Sequence, residues 1–253
     1  MNIFFGIESK DFITSLNIPR FRNDISNSSD YSLFRLNIIN SNWNIEKLKI
    51  RNNSEFYFVN DNILNNEDIF ILSNEKEIEK IKNLNEINDL NSFTNTSPAY
   101  RANLKISITN GGFSSYQSEY PYKMIKKNGS ILSPLSTLLN INAEKNYLIF
   151  RNIYYKPILE NFDIFLVNIR TKRILETFIA KTNMTNIIEI DKRLINSENY
   201  IFSKKYLGVP IFVSIKNKHL SMEHTHPPHE YIMSKDKFLR VSILKKQIDE
   251  IIS

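Results

Sequence analysis

The chain of 253 residues contains no cysteine. That absence excludes a disulfide framework, a thiol nucleophile, an iron–sulfur cluster and every zinc site built on thiolates. Glycine is nearly as scarce, with only Gly6, Gly111, Gly112, Gly129 and Gly208 present. Neither G-x-G-x-x-G nor G-x-x-x-x-G-K-[ST] occurs, which excludes the nucleotide folds whose phosphates rest on such loops. A G-x-S-x-G nucleophile elbow is also missing, since Gly112-Phe-Ser-Ser-Tyr116 lacks the second glycine. Helix-turn-helix, RNA-recognition and zinc-finger signatures are absent, so no sequence-specific nucleic-acid reader is expected. No apolar run approaches the roughly 20 residues of a membrane span. The opening Met1-Asn-Ile-Phe-Phe-Gly6 carries neither a basic segment nor a long apolar stretch, and the expected location is cytoplasmic.

What remains is an ordinary globular composition, 42% hydrophobic and 24% charged, with enough apolar material to bury a core. The net charge of +6 is uneven. Residues 1–96 hold 10 Lys and Arg against 14 Asp and Glu, while residues 97–253 hold 23 against 13. The second region therefore sets up a positive field suited to an anionic partner, either a polysaccharide or a protein assembly. Its lysines are dispersed rather than blocked, which is also how a composition rich in Ile, Asn and Lys populates any protein surface.

The hydrophobic pattern divides the chain in three. In residues 1–96, Tyr31–Ile39, Glu55–Val59 and Asp68–Leu72 are β-formers bounded by Asn, Asp and Ser. Asn74 with Glu77 forms a capping-box start for a helix carrying Ile78, Ile81 and Leu84. A small acidic α+β region results, closed by the polar stretch Asn91–Pro98. Residues 97–233 read as almost pure β. Strands are expected at Ala102–Thr109, Tyr116–Ile125, Tyr147–Tyr154, Phe162–Ile169, Arg173–Ala180, Thr185–Ile190, Tyr200–Tyr206, Val209–Ile215 and Leu220–His226. Their short connections, such as Arg170–Lys172 and Lys216–Lys218, are those of hairpins, and together they imply an antiparallel β-sandwich or barrel. Residues 234–253 repeat Phe238, Val241, Leu244, Ile248 and Ile251 at helical spacing. That amphipathic helix packs on the sandwich or, alternatively, serves as a homo-oligomer face. No internal repeat is visible in the sequence.

All four histidines lie between His219 and His229. On a strand, Leu220, Met222, His224 and His226 share one face, which sets His224 and His226 about 6.5 Å apart on the same side. Pro227-Pro228 stiffens the exit, and a polyproline II turn there returns His229 toward His226. Glu230 adds an oxygen ligand or an acceptor for an imidazole N–H. Such a His-x-His-x-x-His-Glu set suits Zn, Fe(II), Mn or Ni, and the expectation is a metal-binding β-domain using His224, His226, His229 and Glu230. The same side chains would alternatively form a proton-sensitive patch titrating near pH 6.5 or a hydrogen-bonded rim. His224-x-His226-x-x-x-Glu230 resembles the first metal motif of the cupins in spacing. The resemblance covers seven residues, and no histidine follows His229 to supply that family's second motif. Whether any reaction is catalysed is not set by these residues.

A second candidate surface is aromatic. Tyr116, Tyr120 and Tyr122 lie beside Lys123, an arrangement that holds a sugar or an anionic strand when the rings are exposed, and ordinary half-buried sheet tyrosines otherwise.

Overall fold

The computed structural model describes residues 2–19, 31–50, 52, 53, 55–60, 62–87, 102–118, 120, 124–126, 131–224 and 235–253, with the backbone alone for 2 and 235–241. The elements in chain order are β1 (Asn2–Phe5), β2 (Ile13–Pro19), β3 (Ser32–Ile39), β4 (Asn42–Lys47), β5 (Phe56–Asn60), β6 (Ile69–Ser73), α1 (Glu75–Leu84), β7 (Asn103–Ser107) and β8 (Phe113–Gln117). They continue with β9 (Ile131–Pro134), β10 (Lys145–Arg151), β11 (Asn161–Asn168), β12 (Arg173–Lys181), β13 (Thr185–Glu189), β14 (Asn199–Ser203), β15 (Val209–Lys216), β16 (His219–His224) and α2 (Lys235–Ile252).

The chain is mainly β with a C-terminal helix, as expected, but one sandwich or barrel is not what forms. The strands are shared among four antiparallel sheets of four: β1-β6-β3-β4, β5-β2-β7-β8, β9-β14-β11-β12 and β13-β10-β15-β16. Adding eight to each strand number of the first two sheets reproduces the last two, order for order. The connectivity is thus duplicated although the sequence shows no repeat. β7 pairs with β2 on one side and β8 on the other, so strands on both sides of residue 97 share a sheet. The polar stretch Asn91–Pro98 lies outside the described residues.

Burial explains the patterns. β7 alternates, with Leu104 and Ile106 buried and Asn103 and Lys105 exposed, because its sheet covers a core on one face only. β15 is buried from Val209 to Ile215 because its sheet lies between two cores. Tyr147, Ile149, Ile211 and Val213 on one face join the core of the first two sheets. Leu148, Phe150 and Phe212 on the other face meet Ile164, Leu166 and Ile201 of the β11–β14 sheet. That sheet's outer face, with Val167 and Phe202, receives Ile248 of α2. The described part of the helical stripe therefore packs on the β-domain through Ile248.

Turns compensate for the lack of glycine. Of eight non-glycine residues with positive φ among those described, five are asparagines: Asn40, Asn85, Asn110, Asn183 and Asn217. Asparagine tolerates the left-handed region better than other branched or bulky residues. Asn217 and Lys218, at φ 48° and 63°, close the β15–β16 hairpin in the doubly left-handed form that matches strand twist. The expected N-cap forms, with the Asn74 side chain accepting from the Glu77 amide at 2.9 Å, while the Glu77 carboxylate accepts from Lys80 at 3.0 Å instead of closing the box. One expected strand is shorter than anticipated: Tyr116–Ile125 ends at Gln117, with a turn at Met124–Lys126, while the strand expected at Leu220–His226 is described as far as His224.

Candidate functional site

His224 lies on the last position of β16, opposite Ile211 of β15. It shares a face with Leu220 and Met222, both packed against the first core, as the alternation implied. Its ring meets Tyr116 edge-on, with centroids 4.9 Å apart. His224 is thus half-buried where the two duplicated units meet, with an aromatic ring for a neighbour. His226, His229 and Glu230 lie outside the described residues. Among the described residues no group of three or more His, Asp or Glu stands where it could hold a metal ion, which overturns the expected metal-binding function.

The aromatic candidate is corrected as well. Tyr120 is 1% exposed and acts as an internal strut. Its hydroxyl accepts from the Ile153 amide at 3.1 Å and donates to the Leu207 carbonyl at 3.4 Å. Burial drives its pKa well above the usual phenol range. Tyr116 leans on Phe5 at 6.2 Å. Tyr122 and Lys123 lie outside the described residues. A platform needs exposed rings, and the core claims Tyr120.

The ionisable groups that do depart from their ordinary behaviour join structural parts. Arg151 of β10, fully buried, donates to the Asn66 carbonyl, to the Asp68 carbonyl at 3.0 Å and to the Thr185 hydroxyl at 3.1 Å. Thr185 in turn donates to the Gly6 carbonyl at 3.0 Å. One guanidinium therefore stitches the second unit to the β5–β6 turn of the first. Burial lowers its pKa to about 10 and raises that of neighbouring Asp68 to about 6. A second knot is Asp11, whose carboxylate accepts from Lys145 at 2.6 Å and from the Tyr147 hydroxyl at 3.0 Å. The Lys145 contact holds Asp11 below its usual range, and burial pushes Tyr147 up to about 12. A polar depression of about 230 Å³ lined by Glu8–Thr14, Asn62 and Thr109 adjoins it. These shifts hold Lys145 as the ammonium and Tyr147 as the neutral phenol, away from the amine and phenolate that a nucleophile or base would use.

The feature that faces outward is β12, an edge strand of nine residues. Ile174, Leu175 and Ile179 are 40%, 39% and 70% exposed on it. Lys172 and Arg173 stand at its start and Lys181 at its end, and among the described residues none of the three enters an ion pair. Arg170, at the hairpin tip, is paired with Glu198 at 3.0 Å. Its counterpart in the first unit is β4. There the Trp43 amide donates to Asn85 Oδ1 at 2.9 Å, and Asn85 Nδ2 donates to the Ser41 carbonyl at 3.2 Å. Asn85, the C-cap of α1, thereby caps the start of the β4 edge. On β12 the far end is capped in the same way, where the Lys181 amide donates to Asn186 Oδ1 at 2.8 Å and the Lys181 carbonyl accepts from Asn186 Nδ2 at 3.0 Å. Charge asymmetry pointed toward this half of the chain. The exposure of the three apolar residues follows from edge position and carried no sequence signal.

No protein-family model, no curated protein and no solved structure matches this chain.

Proposed function

We propose that the chain is a binding and assembly module that presents the β11–β12 hairpin to an acidic protein partner. The observation that carries this reading is the juxtaposition on one exposed strand of three apolar side chains with Lys172, Arg173 and Lys181. Exposed apolar residues bounded by charge are the surface signature of a protein contact. A polyanionic glycan would satisfy the cations and leave Ile174, Leu175 and Ile179 in water, so the apolar component favours a protein. The basic excess of the second half supplies the long-range attraction.

The test is chromatography of the protein on immobilised poly-glutamate and on immobilised heparin across a salt gradient. The wild type is expected to be retained on poly-glutamate, and the variant Lys172→Glu/Arg173→Glu/Lys181→Glu to elute at clearly lower salt. Elution of the two proteins at the same salt refutes the assignment to this hairpin. Retention on heparin alone replaces the protein partner with a glycan.

A further inference from the structure

We infer that β12 receives an extended segment of its protein partner as a fifth strand, and that this segment is apolar at its centre and acidic at both ends. The inference rests on the reading of β12 as the interaction surface and adds to it the mode of binding and the chemistry of the ligand. It starts from the backbone. Asn186 occupies both the amide and the carbonyl of Lys181 from the side away from β11. Successive residues of an antiparallel strand turn their backbone groups to opposite sides. The N–H and C=O of Ile179 and Thr177, two and four residues back, therefore point the same way as those of Lys181, outward from the sheet. The register gives the same result from the other end. Leu135 takes the Asn199 carbonyl on the β9 side, which sets Val167 toward β14 and Ile174, its partner across β11–β12, outward. Among the described residues no strand pairs with these groups.

The side chains then specify the guest. Ile174, Leu175 and Ile179 offer apolar contact on either side of the exposed Glu176 and Thr177, while Lys172, Arg173 and Lys181 stand at the two ends. Strand addition takes its affinity from main-chain hydrogen bonds and its selectivity from such alternating side chains. Charge complementarity asks for carboxylates at both ends of the guest. A second copy of this chain fits less well. Setting Ile174 against Ile179 of a two-fold mate places Lys172 against Lys181 of the mate, and like charges directly opposite are unfavourable.

The probe is the fluorescently labelled peptide Asp-Glu-Val-Thr-Val-Thr-Val-Glu-Asp, titrated with the full chain and followed by anisotropy. Saturable binding is expected, weakened by salt and weakened about tenfold or more by Thr177→Pro, which removes an outward amide without touching the ladder to β11. Circular dichroism and thermal melting report whether that variant folds. Should it not, two N-methylated peptides answer the question instead, one methylated on the odd residues and one on the even. An added strand uses only one of these two sets, so one peptide binds and the other does not. Equal binding of the two, or unchanged binding by folded Thr177→Pro, overturns strand addition. Absence of peptide binding by a protein still retained on poly-glutamate overturns the inference and leaves the proposed function standing. Loss of poly-glutamate retention removes both. Concentration-dependent self-association in sedimentation, abolished by Thr177→Pro, would make a second copy the occupant and refute the acidic guest.

Discussion

Asp68 offers the sharpest physical test of the architecture. Its residue is 2% exposed, and its carboxylate faces Arg35 at 3.7 Å without a hydrogen bond to its outer oxygen. Desolvation raises its pKa from 3.8 to about 6, against the opposing pull of Arg35 and Arg151. The folded protein thus holds this proton more tightly than the unfolded chain does. The resulting stability is fully present below the unfolded value near 3.8 and is lost as pH rises through about 6. At about 1.4 kcal/mol per tenfold change in proton affinity, that interval corresponds to about 3 kcal/mol. Asp68→Asn is the natural comparison, because Arg151 bonds the main-chain oxygen of Asp68 and keeps that bond in the variant. Urea unfolding of both proteins at several pH values between 4 and 7.5 measures the difference directly. Groups held below their usual range, such as Asp11 and Glu160, change stability in the opposite direction but cancel between the two proteins. The wild type is expected to lose about 2 kcal/mol relative to Asp68→Asn from pH 4 to pH 7, the rest having gone below pH 4. A difference that stays flat, or that favours the wild type as pH rises, refutes the account of a buried, inadequately compensated carboxylate.

Other outcomes follow from the same packing. Arg151→Met, similar in length, leaves the Asn66 and Asp68 carbonyls without their donor and is expected to lower stability by about 3–5 kcal/mol in denaturant unfolding. Asn85→Gly keeps the left-handed cap but removes two side-chain bonds to the β4 region, so the Trp43 amide should exchange faster with deuterium at a stability loss of about 1 kcal/mol. Ile248→Ala empties the contact of α2 with Val167 and Phe202, and a loss of about 2–4 kcal/mol with faster amide exchange in α2 is expected. Heating the intact chain should give one calorimetric transition whose van't Hoff and calorimetric enthalpies agree, because the first core includes residues of both units.

Much of the strand content is written in local pattern. The alternation of Leu104 and Ile106 with polar neighbours, and the apolar run from Val209, announce β7 and β15 because burial on one or two faces leaves a period that survives in the residues. β4 escapes such a reading, since Asn42-Trp-Asn-Ile-Glu-Lys47 is an exposed edge whose strand character comes from pairing with β3. β9 escapes it too, with four residues ending in Pro134 and one neighbouring strand, β14. The histidine spacing was legible, but its meaning depended on what surrounds the rings, and the described member, His224, meets Tyr116 edge-on. Arg151 shows the opposite failure. Inside Tyr147-Leu-Ile-Phe-Arg151 it reads as the charged end of an apolar strand, and only the fold reveals that the β5–β6 turn supplies carbonyls to receive it.

The duplicated connectivity escaped sequence reading for a related reason. A repeated topology requires only that the order of apolar faces and turns be repeated, not the residues, because many side chains of similar volume fill a core. The two units also face different surroundings, which pushes their sequences apart. The sheet β13-β10-β15-β16 is covered on both faces and so carries Ile211 and Val213 where its counterpart β5-β2-β7-β8 carries Asn103 and Lys105 facing water. The edges diverge in the same way. β4 is short and polar, whereas β12 is three residues longer and exposes Ile174, Leu175 and Ile179. Long, open, apolar edges promote uncontrolled pairing unless charge limits what can approach. On β12 the cations at both ends supply that limit, excluding a like strand while leaving a complementary one admissible.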